Sequence, residues 1–135
     1  MKYLLMIYAP EVDPSTVPPE QIRQVAADYD VFTREIVSRG VMLGGEALQP
    51  TTTATTLRIQ DGRTVITDGP FAETKEALTG FYLVDVADID EALELAARLP
   101  GANWGSIEVR PIWAVPGEIA GDAASGAPVP AEATN

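Results

Sequence analysis

The sequence predicts an α+β fold in which two helices cover one face of an antiparallel sheet. Strand-like apolar runs and amphipathic helical segments follow one another in the order strand, helix, two to three strands, helix, strand. Two crossover helices on one face of such a sheet are typical of a ferredoxin-like sandwich, here with an extra hairpin. The 135 residues suffice for one domain, which would bury about two thirds of the surface that its unfolded chain exposes.

The first strand and the first helix have the clearest patterns. Residues 3–8 are apolar on both sides, which is typical of a central strand covered on each face. A helix is then predicted from Pro19 to Arg39, because proline and glutamate suit a first turn and Gly40 suits a C-terminal stop. Its apolar residues recur three and four positions apart and form one stripe: Ile22, Val25, Tyr29, Phe32 and Ile36.

The middle of the chain is predicted to form strands. Residues 41–43 begin a second strand, which the glycine pair 44–45 bends. Residues 53–60 are threonine-rich and alternate, as in a strand with one wet face. Asp61-Gly62 has the composition of a primed two-residue turn, which returns the chain through residues 63–67 as the second arm of a hairpin.

The second helix follows a strong strand at residues 79–86. Asp88 and Asp90 both offer N-caps to a helix over residues 91–99. Five apolar residues give that helix its expected buried face: Ala92, Leu93, Leu95, Ala96 and Leu99.

The end of the chain divides into a last strand and a tail. Residues 106–115 are predicted to form the last strand, in which Pro111 favours an edge position or a bulge. Residues 116–135 are rich in Ala, Gly, Pro and acidic residues and contain no aromatic or basic residue. They are expected to be a disordered extension of a domain that spans residues 1–115.

The composition excludes several kinds of site. The chain contains no cysteine, so it has no disulfide and no thiolate site, and this suits a reducing cytoplasm. It contains no histidine, so the commonest general base and metal ligand are missing. The net charge of −11, with nine scattered basic residues, argues against a nucleic-acid surface. No apolar run approaches a membrane span, and no metal or cofactor motif appears.

The segment that begins at Asp68 is longer and more acidic than a hairpin connection requires. Asp68 has two interpretations: its carboxylate fixes the following turn by accepting backbone N–H groups, or it serves in acid–base chemistry or ligand binding. Pro70 is expected to make the loop rigid, and Phe71 to pack against the core beside it. Glu73 and Lys75, with the following Glu76, form either a solvated surface or a charged lid over a cleft.

Further candidates lie in the strands. Glu46 follows two glycines that would let a backbone or a ligand approach closely. Arg110 lies in an apolar strand, where it either pairs with a carboxylate (Glu46, Asp68 or Glu108) or binds an anionic ligand. The two tryptophans, at positions 104 and 113, are expected in the core or at an interface.

Several spaced motifs together resemble one family. Residues 68–76 (DGPFAETKE), 80–82 (GFY) and 108–111 (EVRP), with Gly44-Gly45-Glu46, closely resemble the DGPF branch of the YCII-related proteins. The resemblance covers about residues 1–115. It implies a ferredoxin-like fold that pairs into a dimeric α/β barrel.

The same resemblance implies a mixed functional picture. The wider group has an enzyme-like cleft with an Asp–His pair, whereas DGPF members are mostly of unknown activity and some are encoded beside, or fused to, sigma factors. Asp68 matches the family aspartate, but the histidine has no counterpart in this chain.

Two functions therefore remain open. The first is a small-molecule binder or enzyme, with Asp68 as the catalytic candidate and Glu46, Phe71, Glu73, Lys75, Tyr82 and Arg110 as candidate ligand contacts. The second is a non-catalytic regulatory module that works with a sigma factor. A homodimer in the cytoplasm is expected in either case.

Overall fold

A computed structural model describes residues 1–115 as six strands and two helices joined by short 3₁₀ turns. The strands and helices are β1 (Lys2–Ala9), α1 (Pro19–Ser38), β2 (Met42–Ala47), β3 (Thr55–Gln60), β4 (Arg63–Asp68), β5 (Ala77–Asp85), α2 (Ile89–Arg98) and β6 (Ser106–Pro111). The chain thus has the predicted mixture of two helices and antiparallel strands. The predicted tail, residues 116–135, lies outside the described residues.

Four strands form the main sheet in the order β2-β5-β1-β6, and every neighbouring pair is antiparallel. The central position predicted for β1 is confirmed, with Leu5 opposite Tyr82 on one side and Val109 on the other. Each helix connects two parallel strands that have a third strand between them. Strands β3 and β4 pair with each other in a separate two-stranded sheet.

The core fills the space between the main sheet and the two helices. Its members come from β1, α1, β5, α2 and the residues directly after β5 and α2: Tyr3, Leu5, Ile7, Phe32, Ile36, Val84, Val86, Ala92, Leu95 and Leu99. Leu5, Ile36 and Leu95 are fully buried, and each such side chain contributes about 1.5–3 kcal/mol. Residues of β1 alternate about the sheet, so Tyr3, Leu5 and Ile7 face the helices while Leu4 and Met6 face away from them.

Helix α1 matches its prediction more closely at its ends than along its apolar stripe. It begins at Pro19 and is followed by Gly40, whose φ of +73° is easily adopted only by glycine. Phe32 and Ile36 are buried, but Ile22 is 44% exposed. The buried residues all lie in the second half of the helix, so its first turns extend beyond the core.

Helix α2 begins two residues before the predicted start. The Asp88 carboxylate accepts a hydrogen bond from the backbone N–H of Glu91 at 3.0 Å, so Asp88 is the N-cap and Asp90 lies in the first turn. The prediction that Leu93 is buried is wrong, because Leu93 is 50% exposed. Two residues correspond to roughly 200° of helix rotation, which places Leu93 on the side opposite the buried Leu95.

The strand boundaries show what the sequence pattern resolves and what it does not. Strand β3 begins at Thr55 because Thr51–Thr53 forms a 3₁₀ turn. The primed turn is confirmed, since Asp61 and Gly62 have φ values of +50° and +76°. Strand β6 lies at the sheet edge, as Pro111 indicated, but it ends at that proline instead of reaching residue 115.

Neither tryptophan belongs to the core. Trp104 is 49% exposed and Trp113 is 58% exposed, so the core environment predicted as one alternative is wrong for both, and the interface stays a prediction.

Candidate functional site

A cleft of about 1390 Å³ in the described part of the chain lies against the Asp68 loop. One wall is the loop between β4 and β5, residues 69–76, and the other is the segment 48–54 that precedes β3. Tyr8, Glu11, the beginning of β5 (residues 77–78) and the beginning of β6 (residues 106–108) also line the cleft. Four of the seven candidate site residues predicted from the sequence line this cleft: Asp68, Phe71, Glu73 and Lys75.

The base of the loop is held by backbone geometry and not by the Asp68 carboxylate. Gly69 has a φ of +105°, its N–H donates to the carbonyl of Ala54 at 2.7 Å, and its own carbonyl accepts from the Thr56 hydroxyl at 2.8 Å. Within residues 1–115 the Asp68 carboxylate accepts no hydrogen bond and joins no ion pair. The turn-fixing interpretation of Asp68 is therefore not realised, and the exposed carboxylate is available to a ligand.

Glu11 links the segment after β1 to the wall in front of β3. It accepts a hydrogen bond from the backbone N–H of Thr51 at 2.8 Å and a second one from the Thr51 hydroxyl. These two donors, the hydroxyl first, hold the pKa of the Glu11 carboxyl below its usual range. Glu11 is therefore held ionised at the edge of the cleft.

The lining of the cleft is acidic. It contains five carboxylates and one ammonium group: Glu11, Asp68, Glu73, Glu76, Glu108 and Lys75. Glu76 accepts from the Ser106 hydroxyl at 2.8 Å, and Glu108 pairs with Arg110. In contrast, the side chains of Asp68, Glu73 and Lys75 have no hydrogen-bond or ion-pair partner within residues 1–115. These three groups are the ones that a ligand would meet without breaking an existing contact.

The expectation that Phe71 packs against the core is wrong, because Phe71 is 79% exposed. The core lies between the main sheet and the helices, whereas residue 71 follows a hairpin outside that sheet. The ring consequently offers apolar surface at the cleft, beside the charged groups of the same loop.

Three other sequence candidates lie outside the cleft. Tyr82 packs under α1, where its hydroxyl and that of Thr33 are 2.7 Å apart. Arg110 pairs with Glu108, with a distance of 2.9 Å between Nε and Oε2, and so uses one of the three carboxylates predicted for it. Because both residues lie on β6, this pair does not fix the register between strands. Glu46 is exposed on β2.

Gly45 on β2 and Gly80 on β5 allow the backbones of these two strands to approach closely. A Cβ atom on Gly45 would lie 2.9 Å from the carbonyl oxygen of Phe81, and one on Gly80 would lie 2.9 Å from the carbonyl oxygen of Glu46. The sequence left open whether the glycines before Glu46 allow a backbone or a ligand to approach. In the structure, the backbone of β5 occupies this space.

A smaller cleft of about 300 Å³ adjoins the first and shares four lining residues with it: Glu11, Leu48, Gln49 and Leu78. Its lining includes Tyr29, whose hydroxyl accepts a hydrogen bond from the backbone N–H of Gly101 at 3.2 Å. Burial raises the pKa of Tyr29, and the hydrogen bond from Gly101 opposes that rise only in part.

Neither a metal cluster nor a membrane helix occurs in residues 1–115. No three Asp or Glu side chains gather closely enough there to hold a metal ion. No described helix combines the length and the apolar character that a bilayer crossing requires.

The sequence motifs also agree with a family model. The model of the YCII-related domain matches residues 1–116. The chain belongs to the YCII-related family. A relative of this YCII-related domain, from Rhizobium meliloti (strain 1021), is 44% identical over 122 residues, which cover 88% of this chain and 98% of the relative. That relative is described as an uncharacterized protein, so it brings no activity to the comparison.

Proposed function

We propose that this YCII-related domain binds a small molecule in the cleft beside the Asp68 loop. One observation carries the proposal: the loop that bears the family motif forms a wall of a cleft of about 1390 Å³, and the Asp68 carboxylate at its base has no partner in residues 1–115. Ligand sites combine apolar surface with a few polar groups that fix orientation. Phe71 supplies the former here, and Asp68, Glu73 and Lys75 supply the latter.

Asp68 remains the catalytic candidate of this site. Without histidine, proton transfer would depend on a carboxylate, a lysine, a tyrosine or water. Within residues 1–115 the cleft offers Asp68, the last residue of β4, and Lys75, on the following loop, as unpaired groups of opposite charge. Two groups of opposite charge would orient a polar ligand in the cleft. Ligand binding can be measured before any reaction is known, so it is the part of the proposal that is tested first.

We further propose the ferredoxin-like topology, the DGPF branch and a homodimer. The antiparallel order β2-β5-β1-β6, with each helix crossing over one strand, supports the topology. The sheet face away from the helices carries Leu4 opposite Leu83 and Met6 opposite Phe81, and neither helix covers it. Leu4, Leu83 and Phe81 are partly exposed there, whereas Met6 is already buried. A second copy packed against that face would remove the three exposed side chains from water, which is the favourable term in most protein association.

A thermal-shift screen of native metabolites tests the binding proposal. A ligand at a hundred times its Kd stabilises the folded state by about 2.7 kcal/mol and raises the melting temperature. We expect Asp68→Asn to weaken the binding of the hits at least about tenfold. Asp61→Asn is the matched control, because it removes the same charge at the tip of the hairpin, where asparagine also tolerates a positive φ.

Two outcomes would contradict the proposal. One is a screen in which no compound raises the melting temperature. The other is a set of hits that bind Asp68→Asn and wild type with equal affinity. The regulatory alternative with a sigma factor rests on the sequence resemblance, and together with the cytoplasmic location it stays a prediction.

A further inference from the structure

The smaller cleft, which we call the Trp104 cleft, differs in its lining from the cleft beside Asp68. Its volume is about 300 Å³, and seven of its eleven described lining residues are apolar, Val12, Leu48 and Trp104 among them. Among the residues that the structure describes, Glu11 is the one charged member of this lining. Pockets that bind small molecules have volumes from about 300 Å³ upwards and combine apolar walls with a few polar groups. The Trp104 cleft therefore has the size and the composition of a site for a small ligand.

Three large apolar side chains of this cleft are left in contact with water. Val12, Leu48 and Trp104 are 61%, 46% and 49% exposed, respectively. They come from three separate connections of the chain, after β1, after β2 and after α2, and converge on one cleft. Scattered exposed apolar residues are ordinary, whereas a group of them around one concave surface is typical of a binding site.

Glu11 presents a carboxylate in a fixed position at the edge of this cleft. One of its oxygens accepts the backbone N–H of Thr51 at 2.8 Å, and the other accepts the Thr51 hydroxyl. A carboxylate has about four acceptor positions, so about two remain open after these bonds. Within residues 1–115 no lysine or arginine pairs with Glu11. The Thr51 hydroxyl and N–H lower the pKa of this carboxyl, which keeps it ionised at neutral pH.

The charge around the Trp104 cleft favours a cationic ligand over an anionic one. The described lining contains no basic residue, and its other polar members are neutral: Tyr29, Gln49 and Thr79. Residues 116–135 contain no basic residue either, and the whole chain has a net charge of −11. An anion would therefore lie beside Glu11 without meeting an opposite charge, whereas a cation would pair with Glu11.

We propose that the Trp104 cleft is a binding site for a small organic amine with an apolar body. The ammonium group donates to the open acceptor positions of Glu11, and the apolar part covers Val12, Leu48 and the indole of Trp104. An indole face also attracts a nearby cation, so Trp104 stabilises both parts of such a ligand. This site is separate from the one proposed beside Asp68, because Asp68 does not line the Trp104 cleft.

Tryptophan fluorescence tests where the amine binds, with 2-phenylethylamine as the probe. The chain has two tryptophans, so Trp113→Phe leaves Trp104 as the single reporter. Conversely, Trp104→Phe leaves Trp113, which lines neither described cleft. We expect the emission of Trp113→Phe to change saturably in a titration to about 10 mM, a range that covers the affinities of ligands this small. We expect no saturable change in Trp104→Phe.

Matched ligands and a charge variant test the role of Glu11. 2-Phenylethanol carries a neutral hydroxyl in place of the ammonium group, and phenylacetate carries a carboxylate. We expect the Kd of 2-phenylethylamine to be about fivefold lower than that of 2-phenylethanol, as suits an ion pair in contact with water, and phenylacetate to bind more weakly than either. In Glu11→Gln the preference for the amine should disappear, while the Kd of 2-phenylethanol stays within about twofold of its wild-type value, because glutamine keeps the shape of the side chain without its charge.

Glu94→Gln is the matched control for the charge variant. It makes the same change at an exposed residue of α2 that lines neither described cleft, so the preference for the amine should stay as in wild type. Circular dichroism and the urea midpoint check that each variant is folded. A purely structural role of the contact between Glu11 and Thr51 would weaken the binding of amine and alcohol equally in Glu11→Gln, so the comparison of the two ligands separates the two roles.

Four results would overturn the inference. They are no saturable change in Trp113→Phe, equal affinity of wild type for amine and alcohol, an equal loss of affinity for both ligands in Glu11→Gln, and a loss of amine affinity in Asp68→Asn as large as that in Glu11→Gln. The last result would place the amine in the cleft beside Asp68. The first three leave the proposal for that cleft standing, because the hits of the metabolite screen are tested separately with Asp68→Asn.

Discussion

Glu11 accepts two hydrogen bonds from Thr51, one from its backbone N–H and one from its side-chain hydroxyl. The contact joins parts of the chain 40 residues apart and fixes two borders of the cleft relative to each other. It is also the reason that the Glu11 carboxyl has a lowered pKa. The cleft wall before β3 is therefore held by a charge-assisted contact that depends on pH.

Thr51→Val should raise the pKa of Glu11 towards its ordinary value, because the hydroxyl donor is lost while the backbone donor stays. A lowered folded-state pKa stabilises the fold above the unfolded value of about 4.3, and this stabilisation is lost as the pH falls through the folded value. The variant should consequently lose less stability on acidification than wild type. Carboxyl-carbon NMR titration measures the pKa, and urea unfolding at each pH measures the stability.

The matched control for this prediction is Thr53→Val. The Thr53 hydroxyl donates to the carbonyl of Pro50 and touches no carboxylate. The Glu11 pKa should be the same in this variant as in wild type. Equal Glu11 pKa values in Thr51→Val and wild type would contradict the role assigned to the hydroxyl.

The sequence predicted the elements of the fold because each has a local pattern. The apolar run of β1, the stop at Gly40 and the Asp61-Gly62 turn are determined by neighbouring residues, and the structure contains all three. Phe71 shows the limit of this reasoning. Its apolar side chain suggested the core, but the hairpin carries its loop away from the helices, and no local pattern records that placement.

The candidate site was only partly predictable for the same reason. The motif identified the Asp68 loop, but the opposing wall is made by the Glu11–Thr51 contact, which no spacing in the sequence indicates. The sequence motifs also predicted Tyr82 and Arg110 as ligand contacts, but Tyr82 lies against α1 and Arg110 pairs with Glu108, both outside the cleft. Membership of a motif does not specify which face of a sheet a residue occupies.

Tyr29→Phe should destabilise the protein by about 1 kcal/mol at neutral pH, because the N–H of Gly101 loses its acceptor. Burial raises the pKa of Tyr29, so its contribution is fully present below the unfolded value of about 10 and is lost as the pH rises through the folded value. The difference in unfolding free energy between wild type and variant should therefore narrow above pH 10.

Tyr8→Phe is the control, since the Tyr8 hydroxyl has only a 3.9 Å contact with the sulfur of Met6. A difference in unfolding free energy between wild type and Tyr29→Phe that stays constant from pH 8 to 11 would contradict the raised pKa of Tyr29.

Gly105→Ala should cost about 3 kcal/mol, the upper end of the usual range for overpacking. A Cβ atom at this position would overlap the carbonyl oxygen of Tyr8, which belongs to the backbone of β1 and has little freedom to move. Gly44→Ala is the control because no heavy atom lies within 4 Å of the corresponding Cβ position. Its free energy of unfolding should change by less than about 0.5 kcal/mol or increase, since alanine suits a strand better than glycine. Urea denaturation compares the two, and equal effects would show that β1 does not approach Gly105 closely.

Leu95→Ala and Leu93→Ala test the orientation of α2 with the same chemical change two residues apart. Leu95 is fully buried in the core and Leu93 is 50% exposed. Loss of the Leu95 side chain should cost about 2–5 kcal/mol, because it removes buried contacts and leaves a cavity. Loss of the Leu93 side chain should cost less than about 0.5 kcal/mol, as is usual for surface positions. Urea unfolding measures both free energies, and equal m-values in the two variants and wild type show that the comparison is valid. A larger cost at Leu93 than at Leu95 would mean that the opposite face of α2 is buried, as it would be if that face contacted a partner.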